Sequence, residues 1–364
     1  MRRPRFAAPF KQPGTIVVVL AASLIAMLFL SMSTTSDRAP ERGAADRCSR
    51  YAAPSGADRA PGSRRRPFRS AQRLVASLRR GQVGCLRAGS YRESVSFGRS
   101  GSASAPITLR SYPGERARLV GIVTVRASWV RLAGLNFEGD GSMNTIKIYS
   151  SDVVVEDSDI TNKLRGRSCM MLGSNDGAGG AVRTIVRRNR FFDCGAPEND
   201  NKDHAIYAAN LADGRIEDNV FTNSAGKTIQ LYPNADRNVV THNVIDGGPD
   251  TVRGGIVIGG DDDHTSSDNR IERNVIAYAA DYGIYSNWEG RTGSGNVARS
   301  NCVWGAGTAN IDAGDGLVAS GNVIADPRFL DRDDRDYRLA PAGPCAKVLG
   351  SDVAGAIKKA RRLR

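Results

Sequence analysis

The sequence predicts an all-β fold, a parallel β-helix (a solenoid of stacked coils) with an N-terminal capping helix and, ahead of it, a membrane or signal segment. Three observations predict it. A hexapeptide with asparagine in fourth place recurs as VRRNRF (186–191), IEDNVF (216–221), VTHNVI (240–245) and IERNVI (271–276). A second apolar strand pattern accompanies it in each period, with Gly, Asp and Asn in the bends. A basic and then uncharged stretch opens the chain.

Taken in chain order, residues 1–14 form a basic flank holding Arg2, Arg3, Arg5 and Lys11, and residues 15–32 are uncharged and mostly apolar. That length suits either a signal anchor or the core of a cleaved signal. Either one exports the repeat domain, because the positive flank stays inside. Residues 33–66 are rich in Ser, Ala, Arg, Asp, Pro and Gly without periodicity, which describes a flexible linker. Phe68, Ala71, Leu74, Val75 and Leu78 recur at helical spacing, so 68–79 is expected to be the helix that covers the first coil. The β-helix domain is then 67–350, followed by a basic tail at 351–364.

Within the coils, the asparagines Asn189, Asn219, Asn243 and Asn274 lie 30, 24 and 31 residues apart, one solenoid turn each. An amide side chain donates and accepts, so stacked asparagines can bond to the neighbouring coil and to each other. Each hexapeptide reads as one strand, and Leu135, Ser158, Asn301 and Asn322 extend the series. The second strand recurs as TIKIYS (145–150), CMMLGS (169–174), AIYAAN (205–210), TIQLYP (228–233), GIVIGG (255–260), GIYSNW (283–288) and NIDAGD (310–315). If Ile146, Met170, Ile206, Ile229, Ile256, Ile284 and Ile311 point inward, alternation turns Lys147, Met171, Tyr207, Gln230, Val257, Tyr285 and Asp312 outward. Two strands per turn are expected. Six cysteines in an exported chain suggest disulfides, and sequence proximity favours Cys48–Cys85, Cys169–Cys194 and Cys302–Cys345 among fifteen possible pairings.

The stretch RYAAPSGADRAPGSRRRPFRSAQRLVASLRRGQVGCLRAGSYRESV (50–95), with APITLRSYPGE (105–115) and the closing DPRFLDRDDRDYRLAPAGPC (326–345), resembles right-handed parallel β-helix proteins of the pectate-lyase-like superfamily. The resemblance implies that fold and an activity on, or binding of, polysaccharide. The superfamily hosts lyases, hydrolases, epimerases and adhesive proteins, so fold does not choose among them.

A net charge of +13 invites a polyanion partner, but residues 1–66 carry +8 and 351–364 carry +4, leaving the coil body almost neutral. The basic tails lack interleaved aromatics, so no nucleic-acid partner is expected. Aligning the second strand places Asn144, Ser168, His204, Lys227, Gly254, Tyr282 and Ala309 in one column. Met143, Arg167, Asp203, Gly226, Arg253, Asp281 and Thr308 form the column before it. Abstracting the proton beside a carboxylate needs a base, a cation for the developing enediolate and a proton donor. Lys227 is the candidate base, Arg253 the cation, and His204 or Tyr207 the donor. Asp203, Gln230, Tyr285 and Trp288 are candidate substrate contacts, the aromatics stacking on sugar rings.

Resemblance adds that alginate- and chondroitin-type β-helix lyases carry a Lys and an Arg on neighbouring coils, which Lys227 and Arg253 match. NKDH (201–204) is similar to the Asp-Pro-His-Asp motif of mannuronan C5-epimerases, without its Pro and second Asp. A lyase acting by β-elimination on an acidic glycan is the expectation; a membrane-tethered, non-catalytic glycan-binding or envelope protein is the alternative. In that alternative Lys227 and Arg253 are solvated turn residues and His204 is a packing residue. Asp261, Asp262 and Asp263 offer oxygen ligands for Ca²⁺ or form a solvated turn. His242 and the charge run DRDDRD (331–336) read as surface.

Overall fold

The computed structural model describes residues 48–349, Glu289 excepted. The leader segments 1–14 and 15–32 and the tail 351–364 lie outside the described residues. Among the described residues no helix is long and apolar enough to cross a membrane.

The chain winds through three parallel sheets of 11, 10 and 10 strands, each strand pairing with its counterparts one coil away. Sheet one runs from Arg50–Ala52 to Leu317–Ser320, sheet two from Gly89–Arg92 to Val323–Ile324, and sheet three from Val95–Phe97 to Ala309–Asp312. Three strands per coil replace the expected two, because the asparagine hexapeptide is a corner and not a strand. Ile185–Arg187 belongs to sheet one, Arg188 turns the chain at φ 54°, and Arg190–Cys194 continues in sheet two after Asn189. Asp218, His242 and Arg273 turn the next corners in the same left-handed conformation.

The asparagines stack as expected. Each Oδ1 accepts the backbone N–H and the side-chain Nδ2 of the asparagine one coil earlier, from Asn189 on Asn219 through to Asn301 on Asn322. A second ladder, Asn238–Asn269–Asn296, stands at the corner entering sheet one. It was legible in RNVVTHN (237–243), DNRIERN (268–274) and GNVARSN (295–301), where an asparagine precedes each first-ladder asparagine by five residues.

The inward row is observed in the aligned register, Ile146 beside Met170, Ile206, Ile229, Ile256, Ile284 and Ile311. Phe137, Phe191 and Phe221 fill sheet two's side of the core, the last two stacked 4.8 Å apart. The helix α1 (Ala71–Ser77) is shorter than the expected 68–79 and lies against the first coil. Ser70 caps it, and the Glu93 carboxylate accepts from the N–H groups of Ala71 and Gln72, so the coil itself satisfies the helix terminus.

The linker expected over 33–66 overlaps the folded body. Arg50–Ala52 is the outermost strand of sheet one, tied by the Cys48–Cys85 disulfide. A three-residue edge strand carries no periodicity of its own, which is why its composition resembles a tether. The other two disulfides also follow the expected pairing, Cys169–Cys194 and Cys302–Cys345. At the far end an antiparallel hairpin, Phe329–Asp331 with Asp336–Leu339, packs on the outward-facing Val220, Val244 and Val275 of sheet two, followed by α2 (Pro344–Leu349).

Candidate functional site on sheet three

The residues of the aligned columns stand at the corners that lead into sheet three. Lys227 leaves the corner before Ile229–Asp236, Arg253 the corner before Ile256–Gly259, and Asp281 the corner before Tyr282–Trp288. The coil between Lys227 and Tyr282 contributes Gly254 to the column, so no side chain stands between them. Gly254 sits at φ +75°, and a Cβ there would meet the Ala279 Cα at 3.0 Å.

Lys227 is not a solvated turn residue: it is 1% exposed. Its Nζ donates to Asp281 Oδ2 at 3.1 Å and lies 5.6 Å from the ring centroids of both Tyr282 and Tyr285. Those rings stack on each other at 4.5 Å. Arg253, about one third exposed, donates from Nη1 to the same Asp281 Oδ2 at 3.2 Å. Thr308 donates to Asp281 Oδ1 at 2.9 Å. Burial alone would push the Asp281 carboxyl up; the Lys227 ammonium and the hydrogen bonds from Lys227, Thr308 and Arg253 outweigh it and hold it below the usual carboxylate range.

His204 is in the expected column but belongs to the interior. It is 2% exposed, and burial, with the nearby Lys227 charge adding to it, pushes its pKa down to about 3. A neutral imidazole with so low a pKa is a poor proton donor, which corrects that role. Its Nδ1 has no hydrogen-bond partner, and its ring centroid lies 5.5 Å from that of Tyr207. Tyr207 is half-buried and lines a cleft of about 290 Å³ with Met171, Arg167, Lys202 and Asp203.

The structure separates the remaining candidates. Asp203 is buried and accepts from Asn199 Nδ2 at 2.6 Å, so it supports the wall of the cleft. Gln230 faces outward in register yet is buried, as is its neighbour Val257, so the outer row is covered at its centre. Tyr285 is half-buried, with its hydroxyl raised by burial and by Tyr282, Asp312 and Asp281. Trp288 lies in the strand, and its side chain falls outside the described residues.

Asp261 Oδ1 is taken up by its own turn, accepting from the backbone of Asp263 and His264 and lying 3.1 Å from the His264 Nδ1. Among the described residues no group of three His, Cys, Asp or Glu side chains converges to hold a metal ion. Sequence reasoning placed Asp281 in the column but gave it no part. Its signal was an acid next to Arg253 in a column whose one other carboxylate is Asp203.

Residues 120–324 match the family described as the right handed beta helix region. A protein of Bacillus subtilis (strain 168), YwoF, is 27% identical over 111 residues, which is 30% of this chain and only 23% of that relative's length. Among solved structures, the pectate lyase Pel9A superposes with a TM-score of 0.63 at 14% identity, covering 81% of this chain and 90% of that one. A rhamnogalacturonan lyase gives 0.58 at 12% identity, covering 85% and 98%. These likenesses concern the fold.

Proposed function

This chain belongs to the right-handed β-helix region family, and from that premise we propose that it acts on polysaccharide outside the cytoplasm, taking an acidic glycan on the outer side of sheet three and cleaving it by β-elimination. The observation that carries the reading is the convergence of Lys227 Nζ and Arg253 Nη1 on one carboxylate oxygen. A position that holds a carboxylate between two cations suits a uronate. Two solved neighbours that superpose on most of the chain are named as lyases of pectate and rhamnogalacturonan, which supports the substrate class. Three disulfides support export.

In this reading Arg253 takes the substrate carboxylate. Lys227, released from Asp281 and with its ammonium proton given up to solvent, removes the proton from the adjacent carbon. The electron pair forms the double bond as the carbon–oxygen bond to the leaving sugar breaks, and Tyr207 protonates that oxygen. The burial of Lys227 favours a second reading, in which the same face binds an acidic glycan without cleaving it. The test incubates the purified protein with a panel of uronate polymers and follows both binding and the absorbance of the unsaturated product. Cleavage lost in Lys227→Ala and Arg253→Ala, by about 10²-fold or more as for removal of a positioned catalytic group, supports the lyase. Cleavage that survives both substitutions removes the site, and binding without product on any polymer supports the second reading.

A further inference from the structure

The Asp281 carboxylate fills the place between Lys227 and Arg253 that the proposed function gives to a substrate carboxylate. We infer that Asp281 is an internal competitor of the substrate: a resident carboxylate that holds the site closed to weak anions and yields only to a glycan able to displace it. The inference rests on the proposed acidic-glycan site.

The geometry supports an exchange. Both Asp281 oxygens are engaged, Oδ2 by Lys227 and Arg253 and Oδ1 by the exposed Thr308. Its backbone is anchored separately, Asp281 N–H donating to Arg253 C=O and Thr308 N–H to Asp281 C=O. The side chain can therefore leave its cations without breaking the coil. Thr308, on the next coil, holds the carboxylate in the resident position from its exposed side. Arg253 has the more accessible of the two cationic heads, so exchange starts there. An empty pair of cations would take any small anion; a pair already occupied by a carboxylate discriminates by requiring displacement.

The test is equilibrium binding of galacturonate and of polygalacturonate, with neutral galactose as control, to the full protein and two variants. Asp281→Asn removes the competing charge while keeping the shape, and is expected to tighten uronate binding about tenfold, the factor that about 1.4 kcal/mol of lost competition gives, with galactose unmoved. Thr308→Val loosens the resident carboxylate from an exposed position where folding is not at stake, and is expected to tighten it about two- to threefold, a change of under about 1 kcal/mol. Uronate binding unchanged or weakened in Asp281→Asn, with the fold intact by circular dichroism, overturns the inference. Should that variant not fold, no gain in Thr308→Val overturns it instead. If the unsubstituted protein binds uronate and the variants bind no better, the inference alone fails. If no form binds any uronate, the proposed function fails with it. A gain in binding without any unsaturated product leaves the competitor and removes the lyase.

Discussion

Asn243 shows what a single residue contributes to a coil. It is buried, its Oδ1 accepts from the N–H and Nδ2 of Asn219, and its Nδ2 reaches the carbonyls of Ile216 and Thr241 and the Oδ1 of Asn274. A corner bends the backbone away from the sheet ladder, so its polar groups need side-chain partners. Asn243→Ala leaves the Asn219 N–H and the Ile216 carbonyl buried without them. At about 1–3 kcal/mol for each orphaned group, we expect a loss of roughly 2–5 kcal/mol, measured by urea unfolding. Asn322→Ala, at the half-buried end of the ladder, is expected to cost less. The corners entering sheet one pair charges along the solenoid. Asp152, Arg183, Asp213 and Arg237 follow one another at positive φ, with Arg183 bidentate on Asp152 and Arg237 on Asp213. Exposed as these arginines are, such pairs contribute little each. The asparagines were legible because each recurs one turn later; the alternation of Asp and Arg beside them was not, since it becomes a pattern only once neighbouring coils are stacked.

At the scale of elements, the C-terminal hairpin is where the sequence misled. The run DRDDRD reads as solvated surface, yet Arg332 Nε donates to Asp246 Oδ1 at 2.9 Å and its guanidinium lies 4.0 Å over the ring of Tyr278. Tyr337, buried and edge-on to Phe329, donates its hydroxyl to Asp246 Oδ2 at 2.9 Å. The hairpin thereby covers three valines on the outside of sheet two, a face that alternation would leave to water. Tyr337→Ala opens a cavity there and is expected to cost about 3–5 kcal/mol of hairpin docking. Limited proteolysis checks this: cleavage within 326–343 should accelerate while the β signal of the coils persists. Equal rates for the two proteins would show that the hairpin is held by other contacts, the Cys302–Cys345 disulfide foremost.

For the whole molecule, the interior sets the response to acid. His204 is neutral when folded, its pKa pushed down to about 3 from an ordinary 6.5 by burial first. Its contribution is therefore complete above pH 6.5 and is lost as the pH falls toward 3, because the unfolded chain takes up a proton that the folded one refuses. By about pH 5 the loss is about 2 kcal/mol, roughly one proton over one and a half pH units. Glu156, buried among Arg131, Arg187 and Arg188, and Asp281 are held below the carboxylate range, so their contributions fade only at lower pH. Asp246, raised by burial, has the opposite sign and is common to both proteins compared. Urea midpoints at about pH 7 and about pH 5 should therefore fall less for His204→Gln than for the unsubstituted protein. Parallel falls would place the acid response elsewhere.

The sequence by itself determined the solenoid, its register and its inward row, because a coil repeats the same physical demand every turn and the answer is written again each time. Proximity in the sequence suggested the three disulfides among fifteen pairings, and the winding of the coils fixes them. The side-chain contacts among the columns belong to the tertiary structure alone. Which column residues meet depends on side chains crossing between coils, and Lys227 reaches past a glycine to an aspartate 54 residues on. Burial likewise belongs to the assembled coil: it turned Lys227 from a solvated cation into half of an ion pair, and His204 from an acid into an interior neutral ring. Periodicity in a sequence reports what every coil shares, and chemistry arises where one coil differs from its neighbours.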